Sequence, residues 1–339
     1  MSLRLYLLII FLCHISLPLY AIPNIMLKDS ASSYTNFTVD VFEDTQNKDP
    51  TIQEILTTTF SKSISNAFSL GYKNHALWFR FSVTNQAPSS LNMILEMTEM
   101  FHNIDIYTVS NQTITHEKNG LQVPIEQRTI PEVNPSFFLN FEKGETKQIY
   151  IKLTSDYGFF AAFYLKTPIQ FRKDTQRQNN LYIFYFGAII VIALYNLFIY
   201  LYLKEKIYIY YVLYVTSFAL WASLYRGIVY NYIDIDTYNL LQLSIPTFFI
   251  MLILFSQSAL KTKALFPYIH KLLNIFIVLM SISFLWMFIS LHNGFYFMNI
   301  VVIPILPILL FLAIKASYDG YFIAKIYLLA LLIYFVGMC

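Results

Sequence analysis

Residues 181–203 read LYIFYFGAIIVIALYNLFIYLYL, an uncharged apolar run that closes on Lys204, Glu205 and Lys206. About 20 apolar residues suffice to cross roughly 30 Å of hydrocarbon as an α-helix, so this run predicts a membrane span. The pattern then repeats, with further runs at 207–224, 240–260, 272–291, 295–314 and 321–339. Between them lie short breaks carrying Lys204 and Lys206, then Arg226 with Asp234 and Asp236, then Lys261, Lys263 and Lys271. A neutral break at His292 and Asn293 precedes the last one, with Lys315 and Lys325. Six spans over 181–339 are therefore expected, forming a polytopic α-helical membrane bundle.

Upstream of the bundle the texture changes. From 22 to 170, apolar and polar residues alternate at period two between turn residues such as Asn119-Gly120 and Glu142-Lys143-Gly144, which is the pattern of β-strands. The clearest strand is Ala76–Thr84: Leu77, Phe79, Phe81 and Val83 take a core face, Trp78 and Arg80 the other. Further strands are expected at Asn92–Met97, Asn103–Val109, Thr113–Glu117, Ser136–Phe141, Gln148–Thr154 and Phe159–Lys166, with one amphipathic helix near Ile52–Ser61. Six to eight short strands predict an all-β antiparallel sandwich. Residues 171–180, with Arg172, Lys173, Asp174 and Arg177, read as a linker from this head to the bundle.

Residues 1–21 resemble a secretory signal peptide: Arg4, the apolar run Leu5–Leu17, and a cleavage site after Ala21. An uncleaved anchor is the alternative; Leu12 argues against a lipoprotein site at Cys13. Either way the head is exported, and the first, third and fifth breaks become cytoplasmic. Those hold Lys204, Lys206, Lys261, Lys263, Lys271, Lys315 and Lys325, against Arg226 alone on the exported side, as the positive-inside rule requires.

Composition agrees. The chain is 57% hydrophobic and 13% charged, against about 25% charged in soluble domains, and its mean hydropathy is +0.52. The net charge of +3 is small and the basic residues sit at helix ends, which leaves no nucleic-acid footprint. Cys13 and Cys339 are the only cysteines, so the mature head forms no disulfide. His75, His102 and His116 lack metal-ligand spacing, and no metal or cofactor is expected.

Trp78 beside Arg80 reads first as a ring packed under a loop and a structural ion pair; stacking on a sugar ring with bonds to its hydroxyls, or binding an anion, is the alternative that makes both candidate ligand contacts. Tyr157, in the aromatic cluster with Phe159 and Phe160, is a third candidate ligand contact. In the bundle, Asn196, Gln242, Gln257, Asn274 and Asn299 are polar groups at membrane depth, expected to bond between helices. Asn196 and Arg226 are the candidate coupling residues. Pro246, Pro304 and Pro307 are candidate kinks.

The run from Ala193 to Tyr211, Ala-Leu-Tyr-Asn-Leu-Phe-Ile-Tyr-Leu-Tyr-Leu-Lys-Glu-Lys-Ile-Tyr-Ile-Tyr-Tyr, resembles the first helix, basic turn and second helix of a bacterial group. These are the seven-transmembrane receptors with diverse intracellular signalling modules (7TMR-DISM). Phe255–Pro267 and Gly320–Gly337 resemble the third-helix exit and the sixth helix of that family. Phe68–Tyr72 followed by Leu77–Asn85 resembles its type 2 extracellular domain. The resemblance implies a jelly-roll sensor in the periplasm and a seven-helix transducer in the bacterial inner membrane. It also implies a cytoplasmic output module, such as a diguanylate cyclase or histidine kinase, and a homodimer where that module needs one. No seventh span follows the sixth, so a truncated frame is expected, with the output module absent or supplied in trans; a natural six-helix form is the alternative.

The leading function is thus a receptor for a small molecule or carbohydrate. A permease or channel component with an exported binding domain is the second, but no charge falls well inside a span and no internal repeat is visible. An intramembrane enzyme is the third. His270 and His292 fall on opposite membrane faces without carboxylate partners, so no catalytic residues are assigned and no activity is expected.

Overall fold

A computed structural model describes residues 22–28, 32–60, 62–111, 113–155, 158–229, 233 and 235–338. The expected signal peptide and Tyr157 lie outside the described residues. The head is built from β1 (Asn24–Leu27), β2 (Ser33–Tyr34), β3 (Thr38–Glu43), α1 (Ile52–Thr57), β4 (Lys62–Ser65) and β5 (Ala67–Tyr72). Then come β6 (Leu77–Asn85), β7 (Leu91–Met97), β8 (Asn103–Ser110), β9 (Thr113–Asn119), β10 (Ser136–Phe141), β11 (Thr146–Thr154) and β12 (Gly158–Lys166).

Two sheets result. One runs β4-β3-β6-β11-β8-β9 with β1 parallel to the far half of β6; the other runs β10-β7-β12-β2, with β5 also paired to β12. Every other pairing is antiparallel. Leu77, Phe79, Phe81 and Val83 face Met93, Leu95, Met97, Phe163 and Leu165 in one core between the sheets. The seven strands from β6 onward lie where the alternation places them. β1 to β5 escaped the sequence reading because they are short and because β4 and β5 bury little, leaving no clean period-two signal.

The second face of β6 is also covered. Thr51 and Glu54 form a reciprocal cap: the Thr51 hydroxyl accepts from the Glu54 N–H and the Glu54 carboxylate accepts from the Thr51 N–H. The helix so started, α1, turns Ile52 and Ile55 onto that face, where they enclose Phe60, Trp78 and Tyr150 in a second small core. Trp78 is 1% exposed and stacks on Tyr107 at 5.8 Å. Arg80 sits 4.2 Å over the Phe60 ring and donates to Asp40 at 2.7 Å. The candidacy of Trp78 and Arg80 as ligand contacts is therefore corrected: both are buried, and the packing reading describes them, with a six-residue helix in place of a loop as the cover.

The bundle comprises α2 (Pro168–Leu203), α3 (Lys206–Tyr225), α4 (Ile235–Leu241), α5 (Ser244–Ala259), α6 (Thr262–Leu265), α7 (Pro267–Met287), α8 (Leu291–Tyr318) and α9 (Phe322–Met338). Five helical stretches are long and apolar enough to cross a membrane: 168–203, 206–225, 236–259, 267–287 and 291–318. The last helix, α9, is apolar and spans 17 residues. Between helices Gln257 donates to Asn274 at 2.9 Å, and Ser256 bonds Tyr327 at 2.7 Å. These are the interhelical bonds expected for Gln257 and Asn274. Pro304 and Pro307 lie inside α8. Pro246 instead lies in the first turn of α5, and the chain breaks at 242–243, four residues earlier. A helical proline clashes with the carbonyl of residue i−4, which here is Gln242.

Arg80→Ala leaves Asp40, 1% exposed, as an unpaired buried carboxylate, a change that costs about 3–5 kcal/mol. The expected result is a clearly lower Tm for the ligand-free full chain by differential scanning fluorimetry. An unchanged Tm would return Arg80 to the list of free surface groups.

Candidate functional site at the joint between head and bundle

The head meets the bundle without slack. Strand β12 ends at Lys166, Thr167 caps the next helix by accepting from the Gln170 N–H, and Pro168 occupies the first helical position. Residues 171–180, read from the sequence as a linker, are helical and continuous with the first span. At 1.5 Å per residue, a helix of 36 residues is about 54 Å long, well beyond the roughly 30 Å of hydrocarbon. Its first turns therefore stand outside the membrane as a stalk.

The stalk is clamped to the sandwich. Phe171 packs against Ile94 of β7 and Ile130. Lys166, 8% exposed, places its Nζ 2.6 Å from Glu96 on β7 and 2.8 Å from Asp174 on the stalk. Asn134 donates to the other Glu96 oxygen, and Gln170 to Asp174. Burial works to lower the Lys166 pKa, but the bonds and charges of Asp174 and Glu96 outweigh it and raise it, so the ammonium stays charged at neutral pH.

At its other end β12 touches the mouth of the bundle. Phe160 stacks on Tyr225, the last residue of α3, at 6.1 Å. Tyr72, paired with Gly158 across the β5–β12 ladder, accepts from Asn299 of α8 at 2.6 Å and packs beside His292 and Tyr296. Helix α3 closes with Gly227 at φ +71°, its N–H bonded to Leu224 and that of Ile228 to Ser223, a glycine-terminated helix end. That turn seats Gly227 against Val133 and Met100 of the head.

These contacts enclose a cavity of about 480 Å³. From the head come Tyr72, Glu99, Met100 and Phe160; from the bundle, Trp221, Tyr225, Gln242, Phe248, Phe249 and Asn299. Gln242 lies in the break before Pro246. Arg226 lies 3.9 Å from Glu99, and Tyr225 bonds the same carboxylate. Burial pushes the Glu99 carboxyl up to about 7, against the opposing pull of the Arg226 charge and the Tyr225 bond. A polar cleft of about 560 Å³ adjoins the same joint, lined by Asp44, Asp49, Asn74, Asn103, Lys152 and His292 among others.

Of the coupling candidates, Arg226 stands at this joint. Asn196 does not: its amide donates to the Ile192 carbonyl of its own helix at 2.9 Å, a local bond that takes the place of an interhelical one. The sequence reading passed over Tyr72, Glu96, Glu99 and Lys166. The faint signal for Glu99 was a carboxylate among Met97, Met100 and Phe101. Among the described residues, no group of three or more His, Cys, Asp or Glu side chains could hold a metal ion.

Two outcomes follow from the charges. If undocked Glu99 returns to the ordinary value of 4.5, its contribution to docking is full below that value and is lost as pH rises through about 7. Nitroxides at Lys118 and Tyr268 in a Cys-free background should then report a broader distance distribution at pH 8 than at pH 5, and Glu99→Gln should abolish the difference. Lys166→Met should speed hydrogen exchange in residues 168–177 while exchange in β6 stays protected; uniform loss of protection would mean that Lys166 serves the sandwich as a whole.

Comparison with known proteins matches this architecture in both halves. The family described as 7TMR-DISM extracellular 2 matches residues 37–167, and the family described as 7TM diverse intracellular signalling matches residues 178–339. No curated protein matches the chain. Both matched domains are sensory modules, and a multi-pass membrane protein with an extracellular N-terminal domain follows from them and from the apolar helices. The chain belongs to the 7TMR-DISM family and is a membrane receptor with an extracellular sensor domain.

Proposed function

We propose that this chain is the sensing part of a bacterial inner-membrane receptor in which a small ligand on the periplasmic side alters how the head sits on the bundle. The observation that carries the reading is that β12 engages the bundle twice. Phe160 near one end rests on Tyr225, while the other end runs through Lys166 into the first span. Phe160 to Lys166 is about 20 Å of strand at roughly 3.3 Å per residue, and 168–180 is about 20 Å of helix. Strand and stalk thus form two legs of similar length, and a shift at the Phe160 end must twist or tilt the stalk.

For a ligand to signal, it must favour one of two head positions; equal affinity for both would shift nothing. Arg226 and Glu99 sit where the two positions would differ, which assigns Arg226 the coupling role. The output belongs to a cytoplasmic module, a diguanylate cyclase or histidine kinase, in the same polypeptide or in trans, and such modules work as homodimers.

The test is a chimera in which residues 1–339 are followed by one apolar span and a diguanylate cyclase. Replacing 168–180 by a Gly/Ser tract should uncouple cyclic dinucleotide output from deletion or mutation of the head. Output that still responds to head mutations through the flexible tract would refute the rigid-stalk reading.

A further inference from the structure

We propose that the cavity between head and bundle is the ligand site and that it takes a neutral, mainly apolar small molecule with one hydrogen-bonding group. This rests on the receptor reading above and names the class of ligand for it. A volume of about 480 Å³ falls within the roughly 300–1,000 Å³ of small-molecule sites. The walls are aromatic from both sides: Phe160 from the head, with Phe218, Trp221, Phe248 and Phe249 from the bundle. Such rings offer large contact areas to flat or alkyl ligands.

Charge selects against ions. Glu99 is the only carboxylate lining the cavity among the described residues, and Arg226 stands beside it. A cationic ligand would compete with Arg226 for that carboxylate, and an anionic one would lie next to it. Either way the ligand's charge would be desolvated at a site whose one carboxylate already has Arg226 and Tyr225 as partners.

The polar contact comes from Gln242, whose residue is 4% exposed and lines the cavity. A buried amide of this kind favours a ligand that completes its hydrogen bonding. A saccharide, by contrast, would bring many hydroxyls to a wall that offers few polar partners. Because the ligand would touch Phe160 and Tyr72 on one side and Phe249 and Gln242 on the other, its binding would act directly on head docking.

The test uses the full chain in phosphatidylcholine nanodiscs, titrated with N-phenyl-1-naphthylamine, a neutral aromatic amine. The expected result is a saturable fluorescence component above lipid partition, excited in part by energy transfer from Trp221. Val302→Trp, which fills the cavity, should weaken it about tenfold or more. Ile303→Trp, on a side chain that is 72% exposed on the same helix, should leave it unchanged. Gln242→Leu should weaken it several-fold while keeping Tm, which guards against misfolding of the larger substitution. The anionic probe 1-anilinonaphthalene-8-sulfonate should bind about tenfold more weakly than the neutral one.

Non-saturable partition alone, equal loss from Ile303→Trp, or equal affinity for the anionic probe would each overturn the proposal. Binding is read without any output module, so its failure leaves the stalk experiment untouched. Failure of the stalk experiment likewise leaves binding intact.

Discussion

The structure depends on one junction, the passage from β12 to α2 with a single capping residue between them. Lys166 belongs to the sandwich through Glu96 and to the stalk through Asp174, so neither half can rotate without pulling Asp174 from a lysine that is itself buried. Removing one partner from such a pair is costly even where forming the pair contributes little net stability. The arrangement therefore serves orientation more than stability. It turns a domain boundary, commonly the most compliant part of a receptor, into a rigid elbow.

Two other ion pairs illustrate how burial sets role. Arg80 and Asp40 are both buried, and Arg80 lies over the Phe60 ring of the small core that α1 closes. They hold the second face of the central strand and are closed to ligands. Glu99 and Arg226 are farther apart, straddle two domains and border a cavity. A loose pair at a domain boundary responds to protonation and to neighbours, which suits a movable contact. The same residue types thus serve as a fixed brace in one place and as an adjustable contact in the other.

The cavity itself traces to a local backbone rule. Pro246 forbids a regular helix through Gln242, so the third apolar run is split into α4 and α5. The sequence reading drew that run as one continuous span and treated Pro246 as a kink. The stretch 236–259 is indeed of span length, and the kink falls at 242–243, where Gln242 joins Asn299 and Glu99 as a polar group on a largely apolar wall. Asn299 follows a related course. Expected to bond another helix, it bonds Tyr72 of the head, because α8 reaches the mouth of the bundle where the head docks.

Sequence alone determined the features governed by local periodicity and by the solvent. Apolar runs of span length, lysines biased to one side, and period-two alternation from Leu77 to Lys166 all express a residue's preference for lipid, water or core, and that preference needs no partner. Family membership was legible for the same reason, in motifs on β6 and on the first two spans. Which polar residues meet was decided only by the tertiary structure. Trp78 and Arg80 looked outward until α1, 20 or more residues upstream, covered them. Glu99 and Arg226 lie on different domains, and Asn196, for all its depth in the membrane, satisfies itself on its own helix. Alternation says which face a side chain takes; only packing decides what lies against that face.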